Sequence, residues 1–177
     1  MKAQMKPIVF VTGAPGSGKS SVARGLAEKY ARGLHLQVDQ LREMMVSGLA
    51  LPGGEWSEEK TLQFQWARQT ASFMAELYAA HGVTVIIDDV SVPAFFPEQY
   101  AELFQKPDVK RVLLLPDLPA LIERIQQRGG PHDSILATLV PRHYQFLGTM
   151  NKDGWIVLNS ANWSVEETVN VIHSKIF

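Results

Sequence analysis

The sequence predicts a three-layer α/β sandwich in which helices cover both faces of a five-stranded parallel sheet. Five short apolar runs rich in Val, Ile and Leu are separated by segments long enough for helices. Runs of this kind, without polar alternation, are typical of parallel strands that are buried on both faces. Alternating strands and helices imply right-handed crossovers and a ligand site at the carboxyl ends of the strands. The predicted strands are residues 8–11, 34–38, 83–87, 111–115 and 155–158.

Composition narrows the class of protein. A chain of 177 residues suits one compact domain, and we predict a single domain over residues 1–177. The formal net charge of −1 argues against a general nucleic-acid coat protein, which needs an excess of Lys and Arg. The chain has no cysteine and therefore no disulfide, thiolate zinc site or cysteine nucleophile. The short polar N terminus and the lack of a long apolar run predict a cytoplasmic protein with no membrane partner.

The first predicted strand leads directly into a phosphate-binding pattern. Residues 13–20 read Gly-Ala-Pro-Gly-Ser-Gly-Lys-Ser and match G-x-x-x-x-G-K-[ST] at every fixed position. In such a loop, backbone N–H groups and the N terminus of the next helix, predicted here from residue 21 to 30, surround a phosphate. Lys19 can then reach the β- and γ-phosphates, and the Ser20 hydroxyl can ligate Mg²⁺. The predicted nucleotide-binding residues of this loop are Gly13, Ala14, Pro15, Gly16, Ser17, Gly18, Lys19, Ser20 and Ser21.

Acidic residues follow the second and third predicted strands. Asp39 comes where a sheet presents its ligands and can accept a proton from an attacking hydroxyl, while Arg42, one helical turn later, can orient an acidic acceptor. The alternative is an N-cap aspartate with a solvated arginine. The third strand ends in Asp88 and Asp89, which is similar to a Walker B element. Adjacent strand residues point to opposite faces, and we assign Asp88 to the metal and Asp89 to the substrate, with the opposite assignment left open.

Helical periodicity is clearest over residues 58–80, ending at Gly82. Its large apolar residues fall close to one face, which we predict to be core: Leu62, Trp66, Phe73 and Leu77. Before this helix, Trp56 follows an irregular Gly- and Pro-containing segment and is a candidate for the acceptor pocket. The last helix opens with Ser164 and Glu167 in the positions of a capping box.

A further helix, over residues 117–128, carries two arginines on one face. Arg124 and Arg128 are four residues apart, and Gly129-Gly130-Pro131 interrupts the chain after them. We predict a small lid over roughly residues 124–142 whose arginines neutralise charge on a transferring phosphate. Arg142 is a further candidate for substrate binding on the far arm of this lid. Arginines on the solvated face of an amphipathic helix are the alternative.

Four motifs together resemble the small P-loop kinases of the nucleoside-monophosphate-kinase-like group. These are residues 13–20, Asp39-x-x-Arg42, the Ile87-Asp88-Asp89 strand end and Glu123-Arg124-x-x-x-Arg128. The resemblance covers nearly the whole chain and is closest to the branch with polynucleotide 5′-kinases, gluconate and shikimate kinases, chloramphenicol phosphotransferase and zeta toxins. It implies a P-loop NTPase fold with a small helical lid and ATP-dependent transfer of a phosphoryl group to a hydroxyl.

The resemblance also implies a role for each motif. Lys19 and Ser20 would bind ATP and Mg²⁺, Asp39 would be the general base, and Arg124 and Arg128 would cover the adenine and the transferring phosphate. In the polynucleotide kinase branch the arginine of Asp-x-x-Arg, here Arg42, contacts the acceptor phosphate. In the wider group, the loop after the fifth strand touches the adenine, which implies Asn159, Ser160 and Asn162.

The acceptor is open at this point. We expect a small molecule with a hydroxyl group. A polynucleotide 5′-hydroxyl is the alternative, favoured by Arg42 but not by the near-neutral charge. A nucleotide-binding regulatory protein without an acceptor is the third interpretation, and the Asp39-x-x-Arg42 motif weighs against it. The sequence does not predict the oligomeric state.

Overall fold

The computed structural model describes residues 5–51, 55–90, 97–130 and 133–176. Its strands are β1 (Ile8–Gly13), β2 (Gly33–Gln37), β3 (Thr84–Asp88), β4 (Val109–Leu114) and β5 (Trp155–Leu158). They form one parallel sheet in the order β2-β3-β1-β4-β5. Ile8 of the central strand β1 stands opposite Val85 of β3 and Val109 of β4. The five predicted strands are confirmed, each to within two residues at either end.

Helices cover both faces of this sheet. They are α1 (Lys19–Glu28), α2 (Val38–Glu43), α3 (Glu58–Ala80), α4 (Ala101–Phe104), α5 (Leu118–Arg128), α6 (Asp133–Thr149) and α7 (Val165–Ile176), with a short 3₁₀ helix at Pro97–Tyr100 before α4. Helices α1 and α7 share a core with one face of the sheet, and α3 and α4 share a core with the other. Helices α5 and α6 pack together against Leu113 and Ala14. The predicted three-layer α/β architecture is confirmed.

The central strand β1 packs against both helical layers. Val9 and Val11 point into the core beneath α1, whereas Ile8 and Phe10 point into the core beneath α3. All four side chains are buried, and each contributes about 1.5–3 kcal/mol to the free energy of unfolding through the apolar surface removed from water. The Phe10 ring packs edge-on against Tyr100 at 4.7 Å between ring centroids. The strand that leads into the phosphate loop is thus fixed from both sides.

The apolar face predicted for α3 is wrong, although the bounds of the helix are confirmed. The helix turns its small residues Ala67, Ala71, Ala75 and Ala79 to the sheet, where all four are buried. The large side chains face outward: Trp66 is 49% exposed, Phe73 70% and Leu77 47%. Periodicity alone does not tell which of two apolar faces turns inward.

Two helices were not assigned from the sequence, α2 and α6. β2 ends at Gln37 and α2 begins at Val38, so Asp39 lies in the first turn of a helix and not at the end of a strand. Helix α6 runs from Asp133 to Thr149 with Pro141 inside it. Helix α5 ends where predicted, with Gly129 in the left-handed region at φ +67°, and Pro131 lies outside the described residues. The predicted lid over 124–142 therefore corresponds to the end of α5, the connection and the first half of α6.

The capping box of α7 is confirmed. The backbone N–H of Ser164 donates to Glu167 Oε2 at 2.7 Å, and the N–H of Glu167 donates to Ser164 Oγ at 3.1 Å. These bonds hold the pKa of Glu167 below its usual value. Across the described ranges, no helix combines the length and the apolarity that crossing a membrane requires.

Candidate nucleotide and acceptor site

The loop between β1 and α1 follows a path that only glycine allows at two positions. A Cβ atom on Gly13 would lie 2.6 Å from the carbonyl oxygen of Leu114 and would also overlap the Ser17 side chain. Gly16 has φ +83°, and a Cβ there would lie 2.7 Å from the carbonyl oxygen of Leu121. The loop therefore packs directly on β4 and α5, and Ala14 and Pro15 are buried with it.

The N terminus of α1 is open toward solvent. Gly18 precedes the helix at φ +84°, no side chain caps the first turn, and the space beside Gly18 holds no atom within 4 Å of a Cβ position. Lys19 is half-buried, while Ser20 and Ser21 are exposed. Uncapped backbone N–H groups with a positive helix end and a lysine beside them form a site that fits a nucleotide phosphate.

Charges from α2 itself and from two other segments act on Asp39. Its side chain is 55% exposed and lies 3.6 Å from Arg42 Nη1. Partial burial raises the pKa of Asp39, and the nearby charges of Asp89 and, more weakly, Asp88 add to the rise, while Lys19 and Arg42 oppose it. The phosphate-loop lysine, the aspartate of α2 and the two aspartates at the end of β3 thus act on one another at the carboxyl edge of the sheet.

Asp88 and Asp89 point to different sides of the sheet. Asp88 Oδ2 lies 3.3 Å from His35 Nε2 on β2. Asp89 Oδ2 instead accepts from Arg68 Nε at 2.7 Å and from the Tyr100 hydroxyl at 2.9 Å. The other oxygen of each buried carboxylate has no hydrogen-bond partner among the described residues. An oxygen left open at the end of β3, with the exposed Ser20 hydroxyl on α1, provides the kind of ligands that Mg²⁺ takes beside phosphate oxygens and water.

Arg68 is the site residue that the sequence analysis missed. It lies on the alanine face of α3, is 4% exposed, and donates to both Asp89 and Gln99 Oε1. Burial lowers the pKa of its guanidinium, but Asp89 more than offsets this and holds the pKa above its usual value. Burial and the charge of Asp89 likewise raise the pKa of Tyr100. One signal in the sequence could have indicated a buried arginine: Arg68 lies three residues before Ala71 and seven before Ala75, on the side of the helix that carries the alanines.

Arg42 is buried, so the solvated-arginine alternative is wrong. Its Nη2 donates to the carbonyl of Ala50 at 2.8 Å, and its guanidinium lies 3.8 Å from the centre of the Phe64 ring. Its Nε has no partner among the described residues. Trp56 stacks on Phe64 at 5.6 Å and remains largely exposed. Arg42, Phe64 and Trp56 thus form a wall beside Asp39.

Arg124 reaches the loop that follows β5. Its Nη2 donates to the carbonyl oxygens of Ser160 and Ala161 at 2.8 and 3.0 Å, and the side chain of Asn159 accepts from Ala161 N at 3.0 Å. Asn162 is exposed in the same loop, and Ser160 is buried. The structure therefore brings Arg124 together with the loop predicted to touch the adenine.

The remaining predicted arginines lie on the α5–α6 pair. Arg128 donates to Asp133, whose Oδ2 also accepts from the N–H of Gly130 at 2.5 Å. These hydrogen bonds link the end of α5 to the start of α6. Hydrogen bonding to Asp133 raises the pKa of Arg128. Arg142 on α6 has its guanidinium 5.7 Å from the Phe146 ring. Beside it, burial lowers the pKa of His143, and the charges of Arg142 and Lys19 lower it further. Because Lys19 belongs to the phosphate loop, this residue of α6 is within electrostatic reach of that loop.

Similar solved structures share this fold across almost their whole length. A gluconokinase from Sinorhizobium meliloti 1021 is 19% identical, with a TM-score of 0.64 over 99% of this chain and 93% of its own. A sugar kinase from Janibacter sp. HTCC2649 is 20% identical, with a TM-score of 0.64 over 96% and 93%. A shikimate kinase from Bacteroides thetaiotaomicron is 16% identical, with a TM-score of 0.66 over 96% and 98%.

Sequence comparison identifies the family. No curated protein is similar enough in sequence to count as a match. A family model does match residues 8–143, from the start of β1 into the second half of α6, and therefore spans the phosphate loop, Asp39, Asp88 and Asp89. The chain belongs to this family, AAA_33, described as an AAA domain, and has the fold of the small nucleoside-monophosphate-kinase-like P-loop proteins.

Proposed function

We propose that this protein is an ATP-dependent kinase that transfers the γ-phosphoryl group to a hydroxyl of a small molecule. One observation carries the proposal: Asp39 lies within the electrostatic reach of Lys19, Asp88 and Asp89. A protein that only binds or slowly hydrolyses a nucleotide needs the phosphate loop but has no need of a second carboxylate that can take a proton from an acceptor.

In this reaction Asp39 accepts the proton of the acceptor hydroxyl. The acceptor oxygen attacks the γ-phosphorus in line, the bond to the bridging oxygen breaks, and ADP leaves. The raised pKa of Asp39 makes its carboxylate a better proton acceptor than an ordinary aspartate. Lys19 and the N–H groups at the start of α1 stabilise charge on the phosphate oxygens, with Arg128 as a further candidate from the lid.

Ser20 and Asp88 would hold Mg²⁺, which supplies positive charge next to the phosphates when it is bound. Arg124 would act on the other side of the nucleotide by keeping the loop after β5 in place. Asn159, Ser160 and Asn162 of this loop would contact the adenine. The roles of Arg124 and of the loop after β5 concern binding and orientation, so their loss should affect the KM for ATP more than it affects chemistry.

The acceptor would lie between Asp39 and the wall of Arg42, Phe64 and Trp56. The Arg68 guanidinium is already paired with the Asp89 carboxylate, and Arg42 Nη2 already donates to the carbonyl of Ala50. That leaves less positive charge for a polynucleotide backbone and favours a small acceptor. Asp89 would act on this side of the site through Arg68, and Arg142 would approach from α6.

The test is transfer of labelled γ-phosphate from ATP·Mg²⁺. Parallel reactions would contain sugar acids, nucleosides, aminoglycoside or phenicol antibiotics, a 5′-hydroxyl oligonucleotide, or no acceptor. We expect label on one class of small molecule. Label on the oligonucleotide alone would replace the proposed acceptor, and ADP release that no acceptor accelerates would favour the regulatory protein.

Two variants separate chemistry from nucleotide binding in that assay. Asp39→Asn should reduce turnover by about 10²–10⁴-fold because it removes the base while keeping the shape of the side chain. Its affinity for ATP should change little. Lys19→Met should lose both activity and tight nucleotide binding. Full turnover by Asp39→Asn would refute the assignment of the base.

A further inference from the structure

Helix α3 carries an uncharged apolar seam on its outer surface. The seam consists of Trp66, Thr70, Phe73, Leu77 and Ala80, and all five residues are exposed. The spacing of four, three, four and three residues keeps them on one side of the helix across four turns. The opposite side of α3 packs against the sheet through its alanines. A helix with two apolar sides has a second surface available for packing.

We propose that two copies of this chain pair through the α3 seam as an antiparallel, two-fold symmetric dimer. Phe73 lies at the midpoint of the seam, seven residues from each end. With the two-fold axis at this residue, Phe73 meets Phe73 of the partner subunit, and the large Trp66 meets the small Ala80 of the partner subunit. Thr70 then faces Leu77 of the partner subunit, so the same sequence is complementary to itself in reverse.

The chemistry of the seam favours a second copy over a charged partner. None of its five residues is ionisable, so antiparallel pairing brings no like charges together within the seam. Glu76, which borders the seam, is already paired with Lys106 of its own chain at 2.7 Å. An uncharged, heptad-spaced helix face provides nothing that would select an acidic or basic partner.

The exposed area of the seam supplies part of the surface that this pairing needs. The exposed fractions of Trp66, Phe73 and Leu77 correspond to about 300 Å² of side-chain surface on each copy. Two copies would therefore bury about 600 Å² from these side chains alone, against roughly 1,200–2,000 Å² in total for a stable interface. An interface of this size lies at the low end of the range for protein interfaces, which predicts a weak dimer that forms as the concentration rises.

Sedimentation velocity between about 1 and 100 μM protein tests the association. We expect the mass to rise to that of a dimer with increasing concentration. Phe73→Glu should weaken dimerisation by at least about 30-fold, because it places two negative charges against each other at the axis. Phe73 is 70% exposed within one chain, so the variant should fold, and circular dichroism would check this. Val46→Glu is the matched control, because it adds the same charge at a fully exposed apolar position outside the seam.

Single cysteines test the geometry, since the natural chain has none. Phe73→Cys should form a disulfide-linked dimer on mild oxidation. Trp66→Cys alone should not, because the two copies of this position would be about 20 Å apart along the helices. A mixture of Trp66→Cys and Ala80→Cys chains should cross-link. A monomer at every concentration, or a dimer that Phe73→Glu leaves intact, would overturn the inference.

Discussion

Asp39 carries the pH dependence of the proposed reaction. Only its deprotonated form accepts a proton, so kcat/KM should fall as the pH drops through its pKa. Burial and Asp89 raise that pKa, which places the acidic limb above the value expected of an ordinary aspartate. Arg42 lowers the pKa, so its removal should raise it further.

The position of the acidic limb depends on the charge of Arg42. Arg42→Gln should move the acidic limb of the kcat/KM profile to higher pH, and added salt should weaken the charge effect because Asp39 is partly exposed. Arg24→Gln removes the same charge from an exposed surface position and should leave the profile in place. A limb that stays fixed or moves to lower pH in Arg42→Gln would contradict the assignment of Asp39.

Arg68 and Asp89 form a buried charge pair whose loss should be felt in stability. Arg68→Met leaves Asp89 buried with no countercharge from α3 and should lower the free energy of unfolding by about 3–5 kcal/mol. Asp89→Asn in the same chain should restore part of that loss. Urea unfolding measures both, with Arg24→Met as the control, since its exposed pair with Glu28 should contribute less than about 1 kcal/mol. A negligible loss in Arg68→Met would show that Asp89 is stabilised by other groups.

At the scale of the element, the phosphate loop depends on how closely it packs on its neighbours. Gly13→Ala should destabilise the protein and abolish nucleotide binding, because the added methyl group overlaps the Leu114 carbonyl and Ser17. Gly148→Ala is the opposite case. It lies near the end of α6 with no atom within 4 Å of its Cβ position, and the change should stabilise the protein by up to about 0.5–1 kcal/mol. Thermal unfolding and titration with ADP distinguish the two outcomes.

The elements also show what a sequence can and cannot predict. The strands and the phosphate loop were predictable, because their apolar runs and fixed glycines are local signals. The inward face of α3 was not, because alanines on one side and large apolar residues on the other both repeat with helical spacing. Arg68 was missed because it lies on the alanine face and because its partners are distant in sequence. Its importance comes from Asp89 and Tyr100, which lie 21 and 32 positions further along the chain.

For Asp39 the sequence predicted the neighbourhood but not the local structure. The charges of Lys19, Asp88 and Asp89 do act on this residue, in keeping with its place after a strand. It does so from the first turn of α2, a six-residue helix too short to show a clear period. The burial of Arg42 depends on Ala50 and Phe64, which a pattern search around Asp39 does not include.

At the scale of the whole molecule, nucleotide binding should stabilise the fold. ADP with Mg²⁺ at about 100 times its Kd should add about 2.7 kcal/mol, which for a chain of this size raises Tm by about 5–10 °C. Chelating the metal should remove part of that increase. Lys19→Met should show none of it, while its Tm without nucleotide should stay close to that of the natural protein. Differential scanning fluorimetry gives all of these values, and an equal rise in Lys19→Met would mean that ADP binds elsewhere.

The position of β1 has a consequence for how the protein is made. β1 leaves the ribosome first among the strands, yet one of its two neighbours in the sheet, β4, ends at Leu114. At about 5–20 residues per second, synthesis of the intervening hundred residues takes about 5–20 s. Through that interval the apolar residues of β1 cannot be enclosed on both sides, so the nascent chain exposes Ile8, Val9, Phe10 and Val11. A chaperone that binds short apolar segments would find a target in β1 and would lose it once β4 is complete.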